Sequence, residues 1–96
     1  MTTFSATQNG PGASAPVTLT PSISPFNVGF AVVVTGTVSY SVQHSFDSVN
    51  WFENAIASKL SHTQDGNYAF PIKQMRVYIW TGTGQATLTG IQAGVP

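Results

Sequence analysis

The stretch that most constrains this chain runs from Val38 to Phe52, VSYSVQHSFDSVNWF. Val38, Tyr40, Val42, His44 and Phe46 fall on one parity, and Ser39, Ser41, Gln43 and Ser45 on the other. That is the period of a strand with one face in a core and the other in water. Asp47-Ser48-Val49-Asn50 comes next, and it predicts a turn because Asp and Asn side chains bond their own backbone. Trp51 and Phe52 then bring the chain back inward, and Trp51 reads as a core plug ahead of a ligand platform.

The flanking segments carry the same kind of signal. Phe26 to Thr35, FNVGFAVVVT, is apolar on both parities, as expected of a central strand or one under a subunit contact. Thr35-Gly36-Thr37 supplies a turn, making an antiparallel hairpin with the Val38 strand the natural reading. Pro16 to Thr20 predicts a short edge strand, followed by an irregular crossing between Pro21 and Pro25 through Ser22-Ile23-Ser24. Asp65-Gly66-Asn67 predicts a turn, and Tyr68 to Ile72 a short strand that Pro71 places at an edge or bend. Gln74 to Thr81 alternates again, with Met75, Val77 and Ile79 opposed to Arg76, Tyr78 and Trp80. Gly82-Thr83-Gly84 turns the chain into Gln85 to Gln92, where Gly90 suggests a bulge passing the inward parity from Ala86 and Leu88 to Ile91. Glu53 to Thr63 stays open between one or two helical turns, with Phe52, Ile56 and Leu60 at i, i+4 and i+8, and a loop with a short strand. The sum is six to eight short strands without a long helix, the pattern of an all-β sandwich or small barrel occupying residues 16–96.

Within residues 1–15, Thr2 to Ala15 carry Gly, Pro, Ser and Thr without periodicity, and only Phe4 among them offers appreciable apolar surface. They read as a flexible arm or a frayed terminus. An arm of that length would reach about 45 Å, enough to plug Phe4 into a neighbouring molecule.

Ninety-six residues leave room for one domain. Three basic and three acidic side chains cancel, so no cationic face exists to hold phosphates or an anionic membrane. Charged residues are 6% of the chain against about 25% in ordinary domains; a surface of Ser, Thr, Gln, Asn and Gly is a hint of assembly with copies or partners. The absence of cysteine excludes disulfides and thiolate metal sites. No window reaches the ~18 apolar residues of a membrane span, and the opening MTTFSATQNG predicts a chain made without a signal peptide.

Catalysis has little to draw on. His44 with Asp47, and His62 with Asp65, share an i, i+3 spacing, but two ligands on separate turns make no closed metal site. There is no G-x-S-x-G, P-loop or dinucleotide fingerprint, so the expectation is a non-enzymatic protein without cofactor. Arg76, Tyr78 and Trp80, on the non-core parity of their strand, form a candidate contact surface of the kind that binds proteins or sugars, and Phe4 is a candidate contact on the arm.

The run Val42-Gln43-His44-Ser45-Phe46-Asp47 with Trp51-Phe52, then Asp65-Gly66-Asn67-Tyr68-Ala69-Phe70-Pro71, Met75-Arg76-Val77 and Gly82-Thr83-Gly84, resembles small structural proteins of tailed bacteriophages over residues 28–92. The resemblance implies a jelly-roll-like antiparallel sandwich acting as a decoration, or cement, protein on the head surface of a virion. Its implied partners are the major capsid protein and copies of itself, as a dimer or trimer, with neither nucleic acid nor membrane. A tail or neck structural protein and a carbohydrate-binding host-adhesion module, with weak glycan binding, are the alternatives.

Overall fold

The structure, a computed structural model, describes residues 2–22, 24–54 and 58–94. Among the described residues the chain forms no helix but nine strands: β1 (Thr2–Asn9), β2 (Gly12–Ala13), β3 (Val17–Thr18), β4 (Val28–Thr35), β5 (Val38–Ser45), β6 (Trp51–Glu53), β7 (Gln64–Tyr68), β8 (Gln74–Gly82) and β9 (Gln85–Gln92). They make two antiparallel sheets, the first ordered β1-β9-β4-β7 and the second β2-β8-β5-β6, with β3 also paired to β8.

β2 and β3 lie along the same neighbour, Gly12 opposite Ile79 and Val17 opposite Met75. Between them Pro16 has no N–H to give to the ladder. Ser14 holds β8 there instead: its backbone N–H donates to the Val77 carbonyl at 2.8 Å, and its hydroxyl accepts from the Val77 N–H at 3.1 Å. Counted as one interrupted strand, β2 and β3 leave eight strands in the orders 1-8-3-6 and 2-7-4-5, the paired Greek keys of a jelly roll. The all-β sandwich expected from the sequence is therefore the observed fold.

The core lies between the sheets. Val28, Phe30 and Val32 from β4 and Ala86 and Leu88 from β9 face Val38, Tyr40 and Val42 from β5 and Met75, Val77 and Ile79 from β8, all buried. Gln92 ties a loop to this frame, its amide donating to the Thr20 carbonyl at 2.8 Å while its oxygen accepts from the Thr20 N–H at 3.0 Å.

Several expectations are corrected. Residues 2–9 are not a flexible arm but β1, paired with β9 from Thr2 opposite Gln92 to Asn9 opposite Gln85. Phe4 and Ala6 lie half-buried on its inner parity, while Thr3, Ser5 and Thr7 are exposed. β4 and β5 do not form a hairpin: Gly36 carries the chain from one sheet to the other, as does the Gly82-Thr83-Gly84 turn between β8 and β9. Asp65-Gly66-Asn67 is the middle of β7 rather than a turn, and that strand ends at Tyr68 rather than running to Ile72. Gly66 is needed there because the Phe30 ring lies over it; an added Cβ would stand 2.9 Å from Phe30 Cζ. Gly90 is no bulge, since both ladders of β9 pass through it in register. It clears space for the Phe4 ring, and Ile91 is accordingly 44% exposed. The register shift falls instead between Ser39 and Tyr40, leaving Trp80 as the extra residue on β8. Residues 58–60 are not helical: Leu60 bridges Tyr40. Ile23 and Ile56 lie outside the described residues.

The β5–β6 hairpin is present, with Ser45 opposite Trp51. Asp47 Oδ1 accepts from the N–H groups of Val49 and Asn50 at 2.9 and 2.8 Å, and Oδ2 accepts from the Asn50 side-chain amide at 2.8 Å. Those donors, the Asn50 N–H first, hold the Asp47 carboxyl well below the usual carboxylate range. A carboxylate with a depressed folded-state pKa stabilises fully above its unfolded pKa of about 3.9 and loses that contribution as pH falls toward the folded value. Asp47→Ala is therefore expected to lower Tm at pH 7, with the gap to the parent protein narrowing between about pH 5 and pH 2. Thermal melts across that range measure it, and a constant gap contradicts the assignment.

Candidate interaction site

Two aromatic surfaces emerge from this fold. The first is on the outward face of the second sheet, where side chains from β8, β6 and the segment after β6 stack into one column. The Arg76 guanidinium lies 4.0 Å from the centre of the Trp51 ring and 5.8 Å from that of Tyr78. Tyr78 and Trp80 follow at 4.6 Å between centroids, and Lys59 Nζ sits 5.3 Å from the Trp80 ring.

Polar groups pin the column from beneath. Arg76 Nε donates to Gln43 Oε1 at 2.8 Å, and Trp80 Nε1 donates to Ser41 Oγ at 2.8 Å. The Ser41 hydroxyl also accepts from the Lys59 N–H at 2.8 Å and donates to Glu53 Oε1 at 2.6 Å. That hydroxyl, with help from Ser58 and the Lys59 charge, lowers the Glu53 pKa. These contacts explain why Ser41 and Gln43 are buried although they occupy the parity expected to be wet, and Ser45, buried likewise, has its hydroxyl taken by the turn, where it accepts from the Ser48 N–H at 2.8 Å.

The second surface is an open flank. β6 and β7 are the last strands of their respective sheets, and the gap between them is filled by rings rather than by strand. His44, on β5, is buried at its centre, hydrogen-bonded through Nδ1 to Tyr68 Oη at 2.8 Å. Burial lowers the His44 pKa and pushes that of Tyr68 up to about 12, with a hydrogen bond from Asn54 acting against the latter shift. Burial thus favours the uncharged imidazole and the protonated phenol at this pair.

Around it stand Phe46, Phe52 and Phe70, with centroids 5.5, 6.1 and 5.4 Å from the His44 ring. Phe46 is also 6.1 Å from Phe52 and 6.2 Å from Phe70. These three are 54%, 52% and 47% exposed, and Val49 on the adjoining turn is exposed as well. Phe52 pairs with His44 and so shares its inward face, yet it remains about half exposed.

The structure brings Arg76, Tyr78 and Trp80 together, as the sequence predicts, and adds Trp51, which is half-buried outside the core rather than a plug within it. Phe4 is placed elsewhere: it packs against the core of its own sandwich, on β1. His44 and Asp47, three residues apart, serve separate partners, Tyr68 and the turn. The phenylalanine flank is not legible in the sequence because Phe46 sits on the core parity of β5, and its exposure among the described residues appears only at the three-dimensional edge. A third feature is an open depression of about 560 Å³ on the first sheet, lined by Thr3, Gly29, Ala31, Asp65, Thr89 and Ile91 among others. No group of three or more His, Asp or Glu side chains converges among the described residues.

No family model, curated protein or solved structure matches the chain.

Proposed function

We propose that the chain is a non-enzymatic structural protein of a tailed-phage virion, a decoration protein that seats on the assembled head and cements neighbouring capsid subunits. The observation that carries this reading is the phenylalanine flank. Phe46, Phe52 and Phe70 form one contiguous exposed apolar surface on a chain with only 6% charged residues. Such a patch marks a surface that a protein partner covers. Aromatic side chains are rigid and large, so they anchor an interface at little entropic cost.

The Trp51-to-Lys59 column supports protein contact over sugar stacking, because Arg76 and Lys59 already lie over its indole rings. Many weak seats on one particle add up to strong attachment through multivalency.

The test is stoichiometric. Heads purified from the virus that carries this chain should release hundreds of copies each on denaturation, measured by quantitative mass spectrometry against the major capsid protein. A handful per particle points to the tail or neck, and none to a role outside the virion; either result overturns the reading.

A further inference from the structure

A jelly roll leaves sheet edges open, and an open edge is a row of unpaired N–H and C=O groups that invites another strand. Three of the four edges here are blunted. β2 and β3 are two-residue pieces interrupted at Pro16. β6 has three residues and ends on Glu53. β7 has five and carries Asp65 and Gly66.

β1 is different. It is eight residues long, in unbroken register with β9, and its sequence TTFSATQN contains no proline, glycine or charge. Among the described residues its only ladder is to β9.

We propose that β1 pairs antiparallel with the β1 of a second copy across a twofold axis, joining the two four-stranded sheets into one continuous sheet of eight. Self-pairing suits this strand in particular. A twofold axis gathers two copies of every β1 side chain at one junction, so any charge there would be doubled and repel its copy. β1 has none, and the chain's net charge is zero. Its outward side chains Thr3, Ser5 and Thr7 are small hydroxyls that bond across a ladder, as Thr7 already does to Thr87 at 3.1 Å. They carry no charge by which a foreign strand would be selected.

The phenylalanine flank lies at the β7 side of the first sheet, opposite β1, so the joined pair keeps a flank free at each end. The pairing goes beyond the shell reading and does not depend on it.

Sedimentation equilibrium of the purified full chain, from micromolar to near-millimolar concentration, tests the proposal. The expected mass is twice the 10.1 kDa of one chain. The double variant Ser5→Lys, Thr7→Lys, which gathers four cations at the junction from two exposed positions per chain, should run at the monomer mass with an unchanged far-UV circular dichroism spectrum. A parent protein that stays monomeric throughout, or a dimer that survives the double substitution, overturns the proposal. Should the variant fail to fold, hydrogen exchange on the parent protein decides. Alternate β1 amides should be protected at high concentration and lose that protection on dilution, and concentration-independent exchange at β1 contradicts the pairing. Capsid binding enters neither readout, so the shell reading can fail while this one stands.

Discussion

Replacing Leu88 with alanine is expected to destabilise the protein by about 3 kcal/mol and to lower Tm by roughly 10–20 °C. Leu88 is fully buried, in the rung that runs from Ala6 through Leu88 and Val32 to Gln64. Removing its branched end leaves a cavity that four hydrogen-bonded strands cannot collapse to fill, so the lost transfer energy and the cavity term add. Ile91, three residues on and equally apolar, is on the outward parity and 44% exposed. Ile91→Ala should cost less than about 1 kcal/mol. Urea or thermal unfolding of the two variants side by side reads out the facing of β9 directly. Equal losses would mean that the inward parity does pass to Ile91, as the sequence alone suggests, and that the register through Gly90 is wrong.

The reason this register escapes sequence reading is instructive. Gly90 within a strand ordinarily signals a bulge or a close approach, and nothing local distinguishes the two; the ring that approaches belongs to Phe4, in a strand from the opposite end of the chain. β1 itself is illegible for the same reason. Phe4 and Ala6 are the only apolar residues on its inner parity, and the partner that orders it begins at Gln85.

By contrast, the β5–β6 hairpin is legible, because the Asp47 carboxylate, its Val49 and Asn50 donors and the flanking alternation all lie within one short segment. β4 and β5 show the limit of that logic: strands joined by a short glycine turn look like a hairpin, yet here the two belong to different sheets. The Arg76, Tyr78 and Trp80 surface is legible from parity alone, whereas its packing against Trp51 and Lys59 requires the ladder and the segment beyond β6. Fold class thus follows from local pattern, and the identity of each edge, with the surfaces that depend on it, follows only from topology.

The second large effect concerns the flank. Truncating a phenylalanine at the centre of a protein interface commonly costs about 2 kcal/mol or more. Phe46 neighbours both Phe52 and Phe70, so the contributions of the three are not additive, but under the proposed shell role their joint loss should weaken head binding at least about a hundredfold. Each ring is about half exposed, so serine at all three positions removes far less from the folded core than Leu88→Ala does. Far-UV circular dichroism and a cooperative melt confirm the fold, and Phe46→Ser alone serves as the milder variant, since Phe46 is the most exposed of the three.

The most direct measurement is therefore the binding of parent and triple-serine proteins to heads stripped of this chain, followed by co-sedimentation. The parent protein is expected to saturate the heads and the folded triple variant to remain in the supernatant; a folded triple variant that binds as tightly as the parent would contradict the account.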